Sequence, residues 1–417
     1  MTRGLFSCRI IGVTQLLVIS MFFRNPVKSE SAERSSSNSV GSAFTPKDEG
    51  NRGSWWGSLI KSTVAAVNVA SDAYSIVYNS KADSILPSID KSTFCGMSQE
   101  LLSDMKQAAE FSAAIYHRNI FDSRGLSLGK DGKFDSMSCY VRDTETLWIV
   151  TRGTHTSEDV LHDSTWISRT KRVGDLDLPI GVVEKCESII PSLYDHLNEL
   201  HLKKIPVKRI CFTGHSLGGA VAIGLYLHWN THPIFKDKFG YVTKSEVYTL
   251  GAPLVLNNPT TGGFERYETT DESTTSSMNT RLADSVHNIV FQLDIVPRLL
   301  GKHKLPLYIT ENTLGNYMHL LMTTGIHRET YRPFGRFYTL REPDGISTLF
   351  NTRNMDQQVL SCPLGYVSHP ELDLLPLFPP TQADFAFGML RDHNMDRYLE
   401  AINAAVELSK SFRRDQK

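Results

Sequence analysis

The 417-residue chain is short of several things: cysteine, net charge, long apolar runs, internal repeats and N-glycosylation sites. Each shortage excludes something. Cys8 lies close to the N-terminus, which leaves Cys95, Cys139, Cys186, Cys211 and Cys362, an odd number whose spacing fits no metal knot. No disulfide framework is indicated, although one bridge stays open. A formal net charge of −1 and the lack of a basic stripe interleaved with aromatics exclude a nucleic-acid binder. No Asn-X-Ser/Thr sequon with a non-proline middle residue is present, which argues against a heavily glycosylated secreted protein. No repeat is visible, so solenoids and propellers are excluded.

The N-terminus departs from the rest. Arg3 and Arg9 precede an apolar run from Ile10 to Phe23, with no acid before Glu30. At about 14 residues the run is short for a span and suits a signal-peptide core. Three readings stay open for residues 1–29: a cleaved signal, an uncleaved anchor and an organelle presequence. The first two place the protein in the secretory pathway, secreted or lumenal, or on a membrane through this segment. Residues 30–97 form an extension. Its Ser-rich part (29–54) reads as a disordered linker, and residues 55–78 put Trp56, Ile60, Val64 and Val67 on one helical face. That face suits packing on its own domain or lying on a membrane.

From residue 98 the pattern alternates. Residues 98–118 predict a helix with Leu101, Met105, Ala108 and Ala109 on one side, and a hairpin follows whose second strand runs Leu147 to Thr151. Residues 184–202 predict a helix kinked at Pro191, "SEVYTLGAPLV" a strand, residues 256–280 a polar insertion, and Asn288 to Leu293 another strand. Alternating units of this kind predict an α/β domain over 98–417, with a mostly parallel sheet flanked by helices.

Within it, "VKRICFTGHSLGGAVAIGLYLHW" sets a short apolar strand against more than three turns of helix, with Ser216 between. Gly214 and Gly218, two residues either side, let strand and helix approach without a clash. A turn this sharp strains its apex and points the serine hydroxyl outward at a helix N-terminus, where free N–H groups favour negative charge. This is the arrangement of a nucleophile elbow.

A serine nucleophile needs a base within hydrogen-bond reach, and the base needs a carboxylate. In an α/β-hydrolase sheet the acid follows the serine and the histidine follows the acid. Asp294, at the end of the strand Asn288–Leu293 and just before Pro297, is the expected acid. Asp271 and Asp284 fall in the polar insertion without a preceding strand. His393, where a loop enters the last amphipathic helix, is the expected base, with Asn394 or Asp392 as the helix cap. His319, His327 and His369 lie at no such junction. The oxyanion needs N–H donors: Leu217 follows the nucleophile, and Thr154 follows the strand ending "WIVTRGT", with Gly153 allowing the turn and Arg152 available to pair with an acid.

"TGHSLGGA", "TRGT…D", "LGAP", "LDIVPRL" and "DHNMDRYL", in this order, resemble the class 3 lipases, the fungal triacylglycerol-lipase-like α/β hydrolases, over roughly residues 98–405. "YRPFGRFYTL" is similar to a segment of plant members. The resemblance implies an α/β-hydrolase fold, a triad of Ser216, Asp294 and His393, an oxyanion hole at Thr154 and Leu217, and an amphipathic lid over residues 155–170. Asp163 matches the acid that ends the lid-region motif, but Val160 stands where the family has an aromatic residue, with Trp166 displaced beyond the acid. "LPIGVVEKC" keeps only Gly181 of the segment after the lid. The implied activity is that of a serine lipase or carboxylesterase on glycerolipids at a membrane or droplet interface, with no metal or organic cofactor. Two other readings share the scaffold: a phospholipase A1 or galactolipase, and a catalytically idle interaction module.

Overall fold

A computed structural model defines residues 94, 97–117, 123–129, 133–153, 169–257, 281–292, 294, 296–298, 331–341, 364–367 and 391–414. All belong to one compact unit, Ala66–Lys417. The expected signal or anchor, the Ser-rich linker, the 55–78 stripe, the lid residues 155–168, Thr154 and Asp271 lie outside the described residues, as do Cys95 and Cys362.

The described strands are β1 (Ser123–Leu128), β2 (Phe134–Val141), β3 (Thr146–Thr151), β4 (Thr170–Val173), β5 (Leu176–Pro179), β6 (Arg209–His215), β7 (Lys244–Leu250), β8 (Leu256–Asn257), β9 (Val286–Phe291), β10 (Tyr331–Arg332), β11 (Arg336–Leu340) and β12 (Leu364–Val367). The described helices are α1 (Gln99–His117), α2 (Ile180–Leu202), α3 (Leu217–Thr231), α4 (Pro233–Phe239) and α5 (Met395–Arg414). Eight strands form the main sheet in the order β1-β2-β3-β6-β7-β9-β11-β12. From β3 to β11 all neighbours are parallel, and antiparallel strands flank them. The expected α/β-hydrolase architecture is what the chain adopts.

The period-two alternation of the central strands explains the layering. Leu147 and Ile149 of β3, Ile210 and Phe212 of β6 and Val247 of β7 join a core with α2, α3 and α4. Trp148 and Val150, Cys211, and Tyr248 and Leu250 face the other way, into a core with α1 and α5. Strands buried on both faces carry apolar residues on both, as parallel strands under helices do. Helix α3 is apolar around nearly its whole circumference, which marks an interior helix. Cys139, Cys186 and Cys211 are buried free thiols, and burial pushes all three pKa values up. They are packing residues.

Three sequence expectations change. Strand β9 ends at Phe291, not Leu293, because Gln292 takes a φ of 39°, which no strand accommodates. Residues 256–257, the first two of the expected insertion, belong instead to a small antiparallel sheet, β10-β8-β5-β4, while 258–280 lie outside the described residues. Helix α2 begins at Ile180 and continues through Pro191 to Leu202. Asp284 lies two residues before the start of β9 and pairs with Arg336 at 3.1 Å on the surface.

Candidate active site

Ser216 lies between β6 and α3 with φ 57° and ψ −133°, a region that side chains rarely occupy. Such a conformation costs about 1–3 kcal/mol and persists only where its surroundings enforce it. They do: the Ser216 amide donates to Leu250 O at 2.9 Å, and its carbonyl accepts from Gly219 N at 2.9 Å. The glycines are required by space. A Cβ on Gly218 would stand 2.2 Å from Thr151 O, and one on Gly214 2.5 Å from the Gly218 carbonyl carbon. The Thr151 hydroxyl closes the gap, donating to Gly218 O at 2.6 Å. Leu217 is the first residue of α3, so its amide has no carbonyl one turn behind it within the helix.

The end of β3 passes close to the serine. A Cβ on Gly153 would meet His215 O at 2.6 Å and Ser216 Cβ at 3.1 Å, so this glycine serves approach rather than an unusual φ. The expected partner of Arg152 is Asp135, whose carboxylate accepts from Nη2 at 2.9 Å and whose carbonyl accepts from the Arg152 amide at 2.8 Å. Lys185 also contacts Asp135. Thr154, the next residue, is outside the described set.

Asp294 follows β9 after the Gln292 turn and is fully buried. His393 Nδ1 lies 3.0 and 2.9 Å from its two carboxylate oxygens. Oδ1 accepts from the Val296 amide at 2.9 Å, and Oδ2 accepts from the Tyr398 hydroxyl at 2.6 Å. Burial alone would raise the pKa of this carboxyl. The His393 charge, with hydrogen bonds from His393, Tyr398 and Val296, outweighs burial and holds it below the ordinary carboxylate value. Because the carboxylate accepts at Nδ1, Nε2 of His393 is the nitrogen left for proton transfer.

His393 sits just ahead of α5. Asn394, not Asp392, caps that helix, its Oδ1 accepting from the Asp396 amide at 2.8 Å. Asp392 is buried and pairs with Arg397 at 2.8 Å. Gly251, in the "LGAP" motif, has φ +59°, and a Cβ there would fall 2.4 Å from Asp294 Oδ2 and 3.1 Å from His393 Nδ1.

Of the site residues expected from the sequence, the structure describes Ser216, Leu217, Asp294, His393, Gly214 and Gly218. Asp294 and His393 are in direct contact, and His215 lies between them and the serine in the chain of contacts: it precedes Ser216, and its ring lies tilted against His393 with centroids 4.5 Å apart. Sequence reasoning missed the parts played by Thr151, Gly251 and Tyr398, and by Tyr116 and His215. Gly251 and Tyr398 stand in quoted motifs, but nothing in those motifs says that both face Asp294. Among the described residues no cluster of three or more His, Cys, Asp or Glu could hold a metal ion, and no helix is long and apolar enough to cross a membrane.

Residues 148–304 match the family model Lipase (class 3). The class 3 lipase resemblance holds. The match supports reading the chain as a lipase, a hydrolase acting on esters. Solved structures similar to it include the Rhizomucor miehei triacylglyceride lipase (TM-score 0.44, 15% identity, 74% of this chain and 98% of that chain covered). The lipase from Rhizopus microsporus var. chinensis gives 0.42, 13%, 74% and 90%, and the Penicillium expansum triacylglycerol lipase 0.37, 17%, 58% and 81%. At such scores and identities these likenesses add no argument about chemistry. No curated protein sequence matches the chain. Within this lipase-like domain, the elbow and the Asp294–His393 pair stand at the C-terminal ends of β6 and β9, where open α/β sheets hold their ligands.

Proposed function

We propose that the chain is a serine lipase or carboxylesterase that hydrolyses acyl ester bonds of glycerolipids through an acyl-enzyme. The observation that carries this is the buried Asp294 carboxylate holding His393 by Nδ1, behind a serine strained to φ 57°. Ser216 Oγ attacks the ester carbonyl while His393 Nε2 takes its proton. The negative charge on the carbonyl oxygen is met by the amides of Leu217 and Thr154. Collapse of this intermediate breaks the bond to the glycerol oxygen, which takes the proton from His393 and leaves. Water then loses a proton to the same histidine, attacks the acyl carbon and frees the fatty acid, and Ser216 recovers its proton. Asp294 orients the imidazole and stabilises its cation without becoming protonated.

The substrate is a lipid at a membrane or droplet surface, reached from the secretory pathway or through the N-terminal segment. No metal or organic cofactor takes part. The test uses the whole chain, with a fluorophosphonate probe and a panel of acylglycerols, phospholipids and galactolipids. Ser216→Ala should abolish labelling and lower turnover by about 10⁶-fold while the fold is retained. Phospholipid or galactolipid turnover in place of acylglycerol turnover would move the assignment to a phospholipase A1 or galactolipase. A folded wild-type chain that neither labels nor turns over any ester, with detergent micelles present, would make it an idle scaffold.

A further inference from the structure

His215 is buried, and both of its ring nitrogens are hydrogen-bonded to partners other than the triad side chains. Nε2 lies 2.8 Å from the backbone carbonyl of His393. Nδ1 lies 3.2 Å from the hydroxyl of Tyr116, near the C-terminal end of α1. The same hydroxyl accepts the amide of Gly153 at 3.2 Å.

The chemistry of these groups allows one direction of bonding. A carbonyl only accepts, so Nε2 carries the hydrogen. Neutral imidazole then has its lone pair on Nδ1, so Tyr116 donates to it. The phenol oxygen keeps its lone pairs for Gly153 N–H. The result is an ordered chain from the Gly153 amide through Tyr116 and His215 to the His393 carbonyl.

Charges and burial agree with this polarity. Burial, and next the nearby His393, push the pKa of His215 down to about 3, although Asp294 and the hydrogen bond to the His393 carbonyl act the other way. Burial pushes that of Tyr116 up to about 12, against the Gly153 hydrogen bond and the Arg152 charge. The rings facing His215 are Tyr116, His393 and Tyr398, the last with a centroid distance of 5.8 Å. None of them supplies a charge that would favour protonation; Asp294, already engaged by His393, is the one group that would.

We infer that His215 is a positioning residue which, with Tyr116, couples the loop after β3 to the loop that carries His393 and so fixes both relative to Ser216. This rests on the proposed triad: Gly153 immediately precedes the expected oxyanion donor Thr154, and His393 is the expected base. The residue before the nucleophile thereby sets where the two halves of the reaction meet. A displacement of about 1 Å in such groups is worth about 10²-fold in rate.

The experiment has two readouts on the whole chain. With ¹⁵N-labelled histidine, two-bond ¹H–¹⁵N spectra should show the His215 signals, assigned by their loss in His215→Phe, in the neutral Nε2–H form down to about pH 5, and shifted in Tyr116→Phe. In kinetics with a short-chain ester, His215→Phe should lower kcat about 100-fold with KM nearly unchanged. His215→Gln, whose amide can still donate to the His393 carbonyl, should recover at least about 10-fold of that loss, consistent with one restored positioning contact. Folded content is checked by thermal melting. An Nδ1–H tautomer, a His215 that titrates near its ordinary value, or a Gln variant no better than Phe at equal folded content would overturn the inference. Should the wild type show the spectrum but no ester turnover, the coupling stands and the esterase reading fails.

Discussion

The two ends of the parallel sheet both carry buried polar networks, and they are built on opposite principles. Strand β6 and helix α1 each reach both. At the N-terminal end of β6, Arg209 is held by Asp104 of α1 at 2.6 and 3.0 Å, by Glu246 of β7 at 2.7 Å and by the Tyr248 hydroxyl at 3.1 Å. Arg209 holds two carboxylates, one of which Lys244 also reaches at 3.2 Å, and no residue of this network takes a positive φ. At the other end His215 and Tyr116, from the same two elements, meet Ser216, Asp294 and His393. There the backbone takes positive φ at Ser216, Gln292 and Gly251, and the bonding runs in one fixed direction. The first network is a clamp whose groups have nothing left to give. The second leaves a strained serine and one imidazole nitrogen uncommitted, as a reacting site requires.

Breaking each end separately sharpens the contrast. The largest effect is expected from Asp294→Asn, which keeps the shape but presents the wrong partner to Nδ1: kcat should fall about 10⁴-fold, with thermal stability changed little. Arg209→Met should do the reverse. It leaves Asp104 without its cation and buried Glu246 with Lys244 alone, at a cost of about 3–5 kcal/mol by chemical denaturation, and the kcat of the folded fraction is unchanged. A loss of activity there beyond the loss of folded protein would show that the two ends are coupled.

Gly251→Ala should lie between. The added Cβ is forced to φ +59° and to within 2.4 Å of Asp294 Oδ2, so stability should fall by about 1–3 kcal/mol and turnover with it. An alanine variant with normal turnover would show that the carboxylate has room to move.

The smallest effect is a matter of pH. Each end holds one buried neutral histidine, His215 beside Ser216 and His287 near the start of β9, between the rings of Tyr248 and Tyr338. Burial is the main cause for both; the Arg336, Arg209 and Lys244 charges add to it at His287, and both pKa values are pushed down to about 3. The unfolded chain binds these protons below about pH 6.5, and the folded chain refuses them until about pH 3. The unfolded state therefore holds more protons in that window, and stability falls as the pH falls, by up to about 1.4 kcal/mol per pH unit for each histidine. Denaturation midpoints followed from pH 7 to pH 4 should show this slope. Replacing either histidine by Phe should reduce it, while turnover suffers only for His215. An unchanged slope in either variant would mean that its histidine is protonated in the folded protein.

Much of the site was legible because its signals are local. The elbow needs glycines two residues either side of a serine between strand and helix, and that requirement is written in five adjacent residues. The helix over 98–118 and the β2–β3 hairpin followed from periodicity. Less legible were features set by contacts. The end of β9 moved because Gln292 turns the chain out of the strand, and glutamine is not a residue that announces a positive φ. The pairing of Leu256 and Asn257 with β5 and β10 joins segments far apart in the chain, which alternation of two residues cannot reveal. The choice between Asn394 and Asp392 as cap was settled by Arg397, which engages Asp392 from within α5.

By itself, then, the sequence determined which residue is strained and which helix follows it, because backbone sterics and hydrophobic periodicity act over a few neighbouring residues. Only the tertiary structure decided that Asp294 meets His393 and that Tyr116 meets His215, two contacts that each span 99 residues, or that His215 reaches the His393 carbonyl across 178. A hydrogen bond between such distant groups depends on how two layers of helices pack against one sheet, and that packing leaves no period in the chain from which to read it.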